Sequence, residues 1–191
     1  MLTKNILHGP RIRLTAVAKA DLPTISVWYE DSAYSRLFDA TPAVPKSQAQ
    51  LEKWLESAYK AKDSFLFAVR PLNEEILLGY VELDGILWAH QNCWLSIGLG
   101  NREHWGQGYG RESMELALNF VFRELNLYRV QLTVFSYNER ALKLYEKLGF
   151  KREGVFREFI QRDGRRHDMI LFGLLRREWA ERLSNLEINP S

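Results

Sequence analysis

Apolar residues recur at helical spacing in four stretches of the chain, and most of these stretches begin or end at a recognisable signal. Asp21 stands where the first helix is expected to begin, and Ser47 with Gln50 forms a capping box before the second. Gly149 follows the last stretch, at the position where glycine commonly ends a helix. The spacing predicts helices over the runs Leu22 to Tyr29, Leu51 to Ala58, Met114 to Leu125 and Ala141 to Leu148.

Elsewhere apolar residues alternate with polar ones, which is the pattern of half-buried strands. Seven such runs lie at residues 11–15, 65–69, 76–83, 93–99, 130–134, 155–161 and 167–174. Short connections join the second, third and fourth runs, so we expect antiparallel pairing there, and Asp163-Gly164 predicts a hairpin turn between the last two. The order of elements predicts an α/β domain with a mixed, largely antiparallel central sheet of about six to seven strands and flanking helices.

Composition and charge narrow the class of protein. The 191 residues carry 26 Lys and Arg against 24 Asp and Glu, a net charge of +2 that argues against binding nucleic acid through charge. A single cysteine, Cys93, cannot form an internal disulfide, and the four histidines lack ligand spacing, so no metal is expected. Nothing resembles a signal peptide or a membrane span, which predicts a cytoplasmic protein with no membrane partner.

A glycine-rich turn, residues 106–110, follows a predicted strand and opens a predicted helix. Helix N-termini present unpaired N–H groups and partial positive charge, and glycines let an anion approach those groups closely. Alone, this spacing is equally compatible with a plain tight turn. No Gly-Lys-Ser/Thr follows and no repeating βαβ series surrounds it, so neither a P-loop nor a dinucleotide fold is indicated.

Three stretches together carry a family resemblance: residues 97–99 followed by 104–110, residues 138–141, and residues 144–150. They resemble the GNAT superfamily of acyl-CoA-dependent N-acetyltransferases. Residues 138–154 and the opening at 9–14 are similar to the branch that acetylates the N-termini of ribosomal proteins. The match covers residues 9–178, which implies a single GNAT-type domain there and a C-terminal tail at 179–191.

The resemblance implies that acetyl-CoA is the cosubstrate and that no metal takes part. Trp105 departs from the acetyl-CoA signature, which usually has Arg or Gln at that position. The residues expected to hold the pantetheine arm or the pyrophosphate are Ile97, Gly98, Leu99, Gln107, Gly108, Tyr109, Gly110, Arg111 and Asn138. For Asn138 a helix cap is an alternative role.

Tyr145 is the expected general acid, because a phenol can protonate the departing CoA sulfur near neutral pH. It lies seven residues after Asn138, so both side chains can face one cleft, although a core position is an alternative. Glu82 is the expected general base, with an outward-facing strand carboxylate as the alternative and Glu103 as a rival. Cys93 is expected to be a packed thiol, since direct attack needs no acyl-enzyme.

The expected activity is transfer of an acetyl group to a primary amine by direct attack in a ternary complex. Two acceptors are compatible with the sequence: a protein N-terminus, such as that of a ribosomal protein, and a small-molecule amine. A non-catalytic acyl-CoA-binding module is the alternative, and monomer and homodimer are both compatible with the sequence. The aromatic residues of the first helix and the loop after it form either the acceptor pocket or core: Trp28, Tyr29, Tyr34 and Phe38.

Overall fold

The computed structural model describes residues 5–188, with side chains described as far as residue 185. One seven-stranded sheet runs through the molecule in the order β1-β2-β3-β4-β5-β7-β6, and only the β4–β5 pair is parallel. The strands are β1 (Ile12–Ala16), β2 (Phe65–Pro71), β3 (Gly79–Leu87), β4 (Asn92–Leu99), β5 (Arg129–Phe135), β6 (Lys151–Arg162) and β7 (Arg165–Leu175). The predicted mixed, largely antiparallel α/β sheet is confirmed.

Six helices flank the sheet: α1 (Leu22–Glu30), α2 (Ser32–Phe38), α3 (Gln48–Lys60), α4 (Tyr109–Asn119), α5 (Glu139–Lys147) and α6 (Arg176–Ile188). The predicted capping box begins α3, with Ser47 and Gln50 each accepting from the other's backbone N–H. Gly149 has φ 91° after α5, and the Asp163-Gly164 hairpin turn has φ 50° and 73°. The capping box before α3, the glycine after α5 and the hairpin turn therefore lie where they were expected.

The sheet packs on both faces, because its strands alternate two apolar sets. One set, which includes Val81 and Leu132, packs with Met114 of α4 in the main core. The other set, which includes Ala68 and Tyr80, packs with α1 and α3 in a second cluster. Among residues 5–188, no helix is long and apolar enough to cross a membrane.

The parallel β4–β5 pair is joined along only part of its length. Its register covers Asn92 with Arg129, Cys93 with Val130 and Trp94 with Gln131, and then stops. Residues 95–99 of β4 therefore do not pair with residues 132–135 of β5, although β4 pairs with β3 and β5 pairs with β7. The two strands open a cleft in the sheet beyond Trp94.

Several local predictions differ from the structure. The long helix predicted to Leu125 is α-helical to Asn119 and continues as a π-helix over Phe120–Glu124, where the Leu125 N–H donates to the Phe120 carbonyl. Asp21 precedes α1 without capping it, because its carboxylate instead accepts from the Ala18 N–H and forms a buried ion pair with Arg70. Because both side chains are buried, loss of either partner would leave an uncompensated charge in the interior.

The predicted domain limits at 9–178 stay a prediction, but α6 crosses residue 178. Trp179 of that helix is 2% exposed and belongs to the main core, which a free tail would not bury. Arg182 also donates to Glu115 of α4 over 3.0 Å. The predicted tail continues to Ser191, of which residues 189–191 lie outside the described part of the chain.

Candidate functional site

The opening between β4 and β5 forms a cleft of about 590 Å³, a size typical of small-molecule sites. Residues 95–99 line one side and residues 133–135 line the other. The glycine loop and α5 form further walls, and residues 37–40, which span the end of α2 and the start of the next loop, complete the lining. Several segments that are distant in sequence thus meet around one cavity.

The glycine loop has the conformation that an anion site requires. Gly106 and Gly108 have φ 78° and 89°, which is the left-handed region, and Gly108 is the N-cap of α4. A Cβ at Gly106 would meet nothing within 4 Å, so the approach to the loop is open. The first N–H groups of α4 have no partner within the helix and can donate to a phosphate.

Two residues that the sequence analysis did not single out hold this loop from behind. Arg11 donates to the Gln107 carbonyl over 2.9 Å, and its guanidinium also pairs with Glu112 over 2.9 Å. The buried Glu112 carboxylate accepts from the backbone N–H groups of Arg11 and Ile12 as well. β1 therefore fixes the first turn of α4, and no short motif could have indicated a contact between residues 101 apart.

The predicted phosphate ligands are placed in two ways. Gly108, Gly110 and Arg111 line the cleft, with Arg111 paired to Glu115 over 3.1 Å. Gln107 and Tyr109 side chains do not line it: Gln107 donates to the Glu103 carbonyl, and the Tyr109 ring lies under a guanidinium. Any role for those two residues belongs to their backbone N–H groups.

The predicted pantetheine strand residues Ile97, Gly98 and Leu99 all line the cleft. The space beside Gly98 is filled, however, because an added Cβ would lie 2.6 Å from the Tyr34 hydroxyl and 3.1 Å from Phe38. The glycine is therefore required by the aromatic side chains of α2 that pack over the strand, a cause that the sequence analysis did not anticipate.

Asn138 caps α5 and also lies in the wall of the cleft. Its Oδ1 accepts from the Ala141 N–H over 3.2 Å as the N-cap of α5. Its Nδ2 donates to the Leu37 carbonyl over 3.4 Å, which connects α5 to the end of α2. The cap is confirmed, and contact with the cosubstrate stays a prediction.

Tyr145 lines the cleft and packs against Phe150 and Phe172, with 7% of the residue exposed. Burial raises the pKa of its phenol to about 12. Within residues 5–188, its hydroxyl has no hydrogen-bond partner. The side chain is thus both part of the core and part of the cleft wall.

Glu82 does not line the cleft. It lies half-buried on β3, paired in register with Ser96 of β4, and Ser96 does line the cleft. Burial, and secondarily the charge of Asp84, raises the pKa of Glu82 to about 6. Its rival Glu103 is exposed in the turn before the glycine loop and is also absent from the cleft wall. Cys93 is fully buried, and burial raises its pKa to about 12.

One wall of the cleft is strongly basic. Arg140, Lys143 and Lys147 follow one another along α5 at spacings of three and four residues, and all three line the cleft with Arg111 opposite. This wall and the open glycine loop suit a ligand with several phosphates, and the apolar strand residues suit a long flexible arm. The residues present therefore fit a coenzyme A thioester. Within residues 5–188, no group of three His, Cys, Asp or Glu is placed to hold a metal ion.

Comparisons with known proteins agree with this fit. The family model of the acetyltransferase (GNAT) domain matches residues 11–151. The chain is 25% identical to the uncharacterized N-acetyltransferase p20 of Bacillus licheniformis over 175 residues, which are 91% of this chain and 98% of the relative. It is 34% identical to spermidine N(1)-acetyltransferase of Vibrio cholerae over 106 residues, 56% of this chain and 61% of the relative.

A crystal structure of spermidine N-acetyltransferase from Vibrio cholerae in complex with CoA and spermine has a TM-score of 0.82 to this chain at 26% identity, and the match covers 90% of this chain and 99% of that one. The ribosomal protein uS5 alanine N-acetyltransferase of Escherichia coli is 24% identical over 123 residues, 64% of this chain and 63% of the relative. The ribosomal-protein branch expected from the sequence is therefore only distantly supported, and spermidine acetyltransferases lie among the neighbours.

Proposed function

We propose a reaction and an acceptor class for this chain, which belongs to the GNAT acetyltransferases. It is an acetyl-CoA-dependent N-acetyltransferase. In our proposal the cleft holds acetyl-CoA and a primary amine together, and the amine attacks the thioester carbonyl directly. The observation that carries it is the opening between β4 and β5, with the glycine loop at one end and Tyr145 in its wall.

Tyr145 acts as the general acid in this reaction. As the carbon–sulfur bond breaks, the phenol O–H gives its proton to the CoA sulfur, which leaves as a thiol. A pKa near 12 keeps the phenol protonated throughout the neutral range, so the acid is always in its active form. Because CoA is a thiol that leaves partly without help, the acid contributes at the lower end of the usual range.

Glu82 acts as the general base. Because Glu82 does not itself line the cleft, it acts through a water molecule beside its strand partner Ser96, which does. A carboxyl with a pKa of about 6 is mostly ionised at pH 7 and more basic than an ordinary glutamate. It therefore removes a proton from an ammonium or an attacking amine more effectively than an exposed carboxylate.

The acceptor in this proposal is a small amine with more than one positive charge. The charge of Asp63 helps to raise the pKa of Asp84, and the charge of Asp84 helps to raise that of Glu82. The three carboxylates therefore lie near one another on the β3 side. These carboxylates would bind amino groups that are not acetylated. The neighbouring enzyme from Vibrio cholerae, which acts on spermidine, supports this acceptor class.

A ribosomal protein N-terminus is the second candidate acceptor, favoured by the relative that acetylates ribosomal protein uS5. An α-amine has a pKa of about 8, so it needs less help from a base than a polyamine nitrogen does. Its neighbouring peptide would have to pass the residues after α2 to reach Tyr145.

Release of CoA thiol from acetyl-CoA tests the proposal against three acceptor groups: polyamines, aminoglycosides and peptides with ribosomal N-terminal sequences. We expect turnover with a polyamine and little with a monoamine of equal length. Turnover with the peptides alone would establish the second candidate. Tight CoA binding without turnover of any amine would instead indicate a non-catalytic module.

A further inference from the structure

Trp105 is fixed at the end of β4 by its own hydrogen bond. Its indole N–H donates to the Leu99 carbonyl over 2.8 Å, and its ring lines the cleft next to the glycine loop. The acetyl-CoA signature usually has Arg or Gln at this position, either of which would offer a polar group to a phosphate. Trp105 offers none, because its single N–H is already used.

Arg140 lies on the face of that ring, from the opposite side of the cleft. Its Cζ is 4.1 Å from the ring centroid, well within the range of a cation–π contact. Its guanidinium makes no ion pair or hydrogen bond with residues 5–188, whereas Arg111 is paired with Glu115 and Arg102 with Asp31. Arg140 is thus oriented by a contact that leaves its hydrogen-bonding edge free.

We propose that Arg140, held by stacking on Trp105, binds the diphosphate of CoA and supplies the positive charge that the signature lacks. A guanidinium that lies flat on an aromatic ring keeps its N–H groups in the plane of the fork, where they can form paired hydrogen bonds to phosphate oxygens. Trp105 lies four residues before Tyr109, the first residue of α4, and Trp105 and Arg140 line the same cleft as Gly106 and Gly108. The glycine loop and Arg140 of α5 then bind the same diphosphate.

The other basic side chains of α5 lie farther from this point. Lys143 and Lys147 follow Arg140 by about one and two helical turns, and neither contacts Trp105. They remain available to the 3′-phosphate of CoA. The proposal therefore distinguishes two phosphate groups of the same ligand, and it concerns cosubstrate affinity rather than the acceptor.

Calorimetric titration of the purified enzyme with CoA, dephospho-CoA and pantetheine tests the assignment without a catalytic assay. Dephospho-CoA keeps the diphosphate and lacks the 3′-phosphate, whereas pantetheine lacks both. We expect Arg140→Ala to weaken the binding of CoA and of dephospho-CoA equally, by about tenfold, and to leave pantetheine binding unchanged. A loss seen with CoA but not with dephospho-CoA would overturn the diphosphate assignment, as would unchanged binding of both.

Two further variants test the role of the stack. Trp105→Phe keeps a ring for the guanidinium, so its CoA affinity should fall by less than threefold. Trp105→Ala should lose as much CoA affinity as Arg140→Ala. The double variant Trp105→Ala with Arg140→Ala should then lose no more than either single one. Fully additive losses would show that Trp105 does not act through Arg140.

Arg102→Ala is the matched control. Arg102 also faces the Trp105 ring, at 5.8 Å, but its guanidinium is bound to Asp31 and it does not line the cleft. Its removal should leave CoA affinity within twofold of the wild type. An equal loss from Arg102→Ala would mean that general positive charge, rather than the stacked fork, determines affinity, and would overturn the proposal.

Discussion

The two halves of the cleft are built in different ways. The cosubstrate half, where we propose that acetyl-CoA binds, comprises residues 97–99, 106–111 and 138–145 and is shaped mainly by backbone: left-handed glycines, helix N-termini and an asparagine cap. In the other half, Tyr34 and Phe38 of α2 line the cleft and pack with Tyr80 of β3, so this aromatic half is shaped by packed rings. Backbone geometry depends on a few neighbouring residues, whereas ring packing depends on contacts between distant segments.

The aromatic half is nearly closed to water. The Tyr29 and Tyr80 hydroxyls form a buried hydrogen bond over 3.1 Å, and the Tyr34 ring stacks on Phe38 at a centroid distance of 5.8 Å. Burial raises the pKa of both Tyr34 and Tyr80 well above the usual value for a phenol, so neither ionises near neutral pH. Tyr145 also lines the cleft, and in our proposal its phenol is the one that gives a proton to the ligand.

Replacing one phenol in each half gives the largest expected contrast. Tyr145→Phe keeps the ring and removes the proton donor, so kcat should fall by about ten- to a hundredfold while CoA affinity stays within twofold. Tyr34→Phe removes a buried hydroxyl that has no partner among residues 5–188, so kcat should change by less than twofold. Steady-state kinetics and CoA titration measure both. Near-normal kcat in Tyr145→Phe, with chemistry limiting the rate, would make Tyr145 a packing residue.

Gly98→Ala tests the contact that joins the two halves. The new Cβ would lie 2.6 Å from the Tyr34 hydroxyl oxygen, which is closer than nonbonded atoms approach, so the free energy of unfolding should fall by about 1–3 kcal/mol. Denaturant unfolding measures the loss. Adding Tyr34→Phe removes the oxygen and should recover about half of it, since Phe38 still lies 3.1 Å away. No recovery would mean that the glycine is needed for another reason.

Two glycines of the cosubstrate half differ in what they require. Gly108 has φ 89°, so Gly108→Ala should lower the free energy of unfolding by about 1–2 kcal/mol and raise the KM for acetyl-CoA several-fold. Gly110 lies within α4, and a Cβ there would make ordinary contacts of 3.5 Å with Leu99 and 3.7 Å with Leu144. Gly110→Ala should leave both stability and KM nearly unchanged. Equal KM effects would show that space, rather than backbone conformation, limits the loop.

This difference between the halves also explains what the sequence could predict. Short-range signals specify the strands, the glycine loop and the caps at Ser47 and Asn138, and the structure has these close to the predicted positions. The buttress from Arg11, the filling of the space beside Gly98 and the stack on Trp105 join residues far apart in the chain, so no local pattern could indicate them. Arg162 also contacts residues that lie far away in the chain.

Arg162 lies at the end of β6, beside the hairpin turn. It donates to the carbonyl groups of Asp39, Ala40 and Thr41, which ties the hairpin to the segment after α2. Arg36 of α2 adds an ion pair to Asp163 over 2.6 Å. The hairpin therefore supports the cleft wall at residues 39 and 40, while Arg165 and Arg166 at its tip are exposed.

Glu82→Gln has a small, pH-dependent expected effect on stability and tests the proposed base. The pKa of Glu82 rises from 4.5 to about 6 on folding, so the folded protein binds a proton there that the unfolded chain has released between these pH values. Above pH 6 the buried charge destabilises the fold, by at most about 2 kcal/mol and less because the group is partly exposed. Glu82→Gln should therefore be more stable than the wild type at pH 8, by about 1 kcal/mol, and the difference should vanish below pH 4.5.

The same variant has an opposite effect on activity if Glu82 is the base. Once amine ionisation is corrected for, wild-type kcat/KM should rise with pH and level off above about pH 6; this rise is the limb of the pH profile assigned to Glu82. Glu82→Gln should lack this limb, and its activity should recover partly at high pH, where the amine deprotonates without help. Asp84→Asn removes a neighbouring charge and should shift the limb to lower pH, because that charge helps to raise the Glu82 pKa. Glu103→Gln is the matched control and should keep the wild-type profile. A wild-type profile in Glu82→Gln would place the base elsewhere, while the gain in stability at pH 8 would still follow from burial of the carboxylate alone.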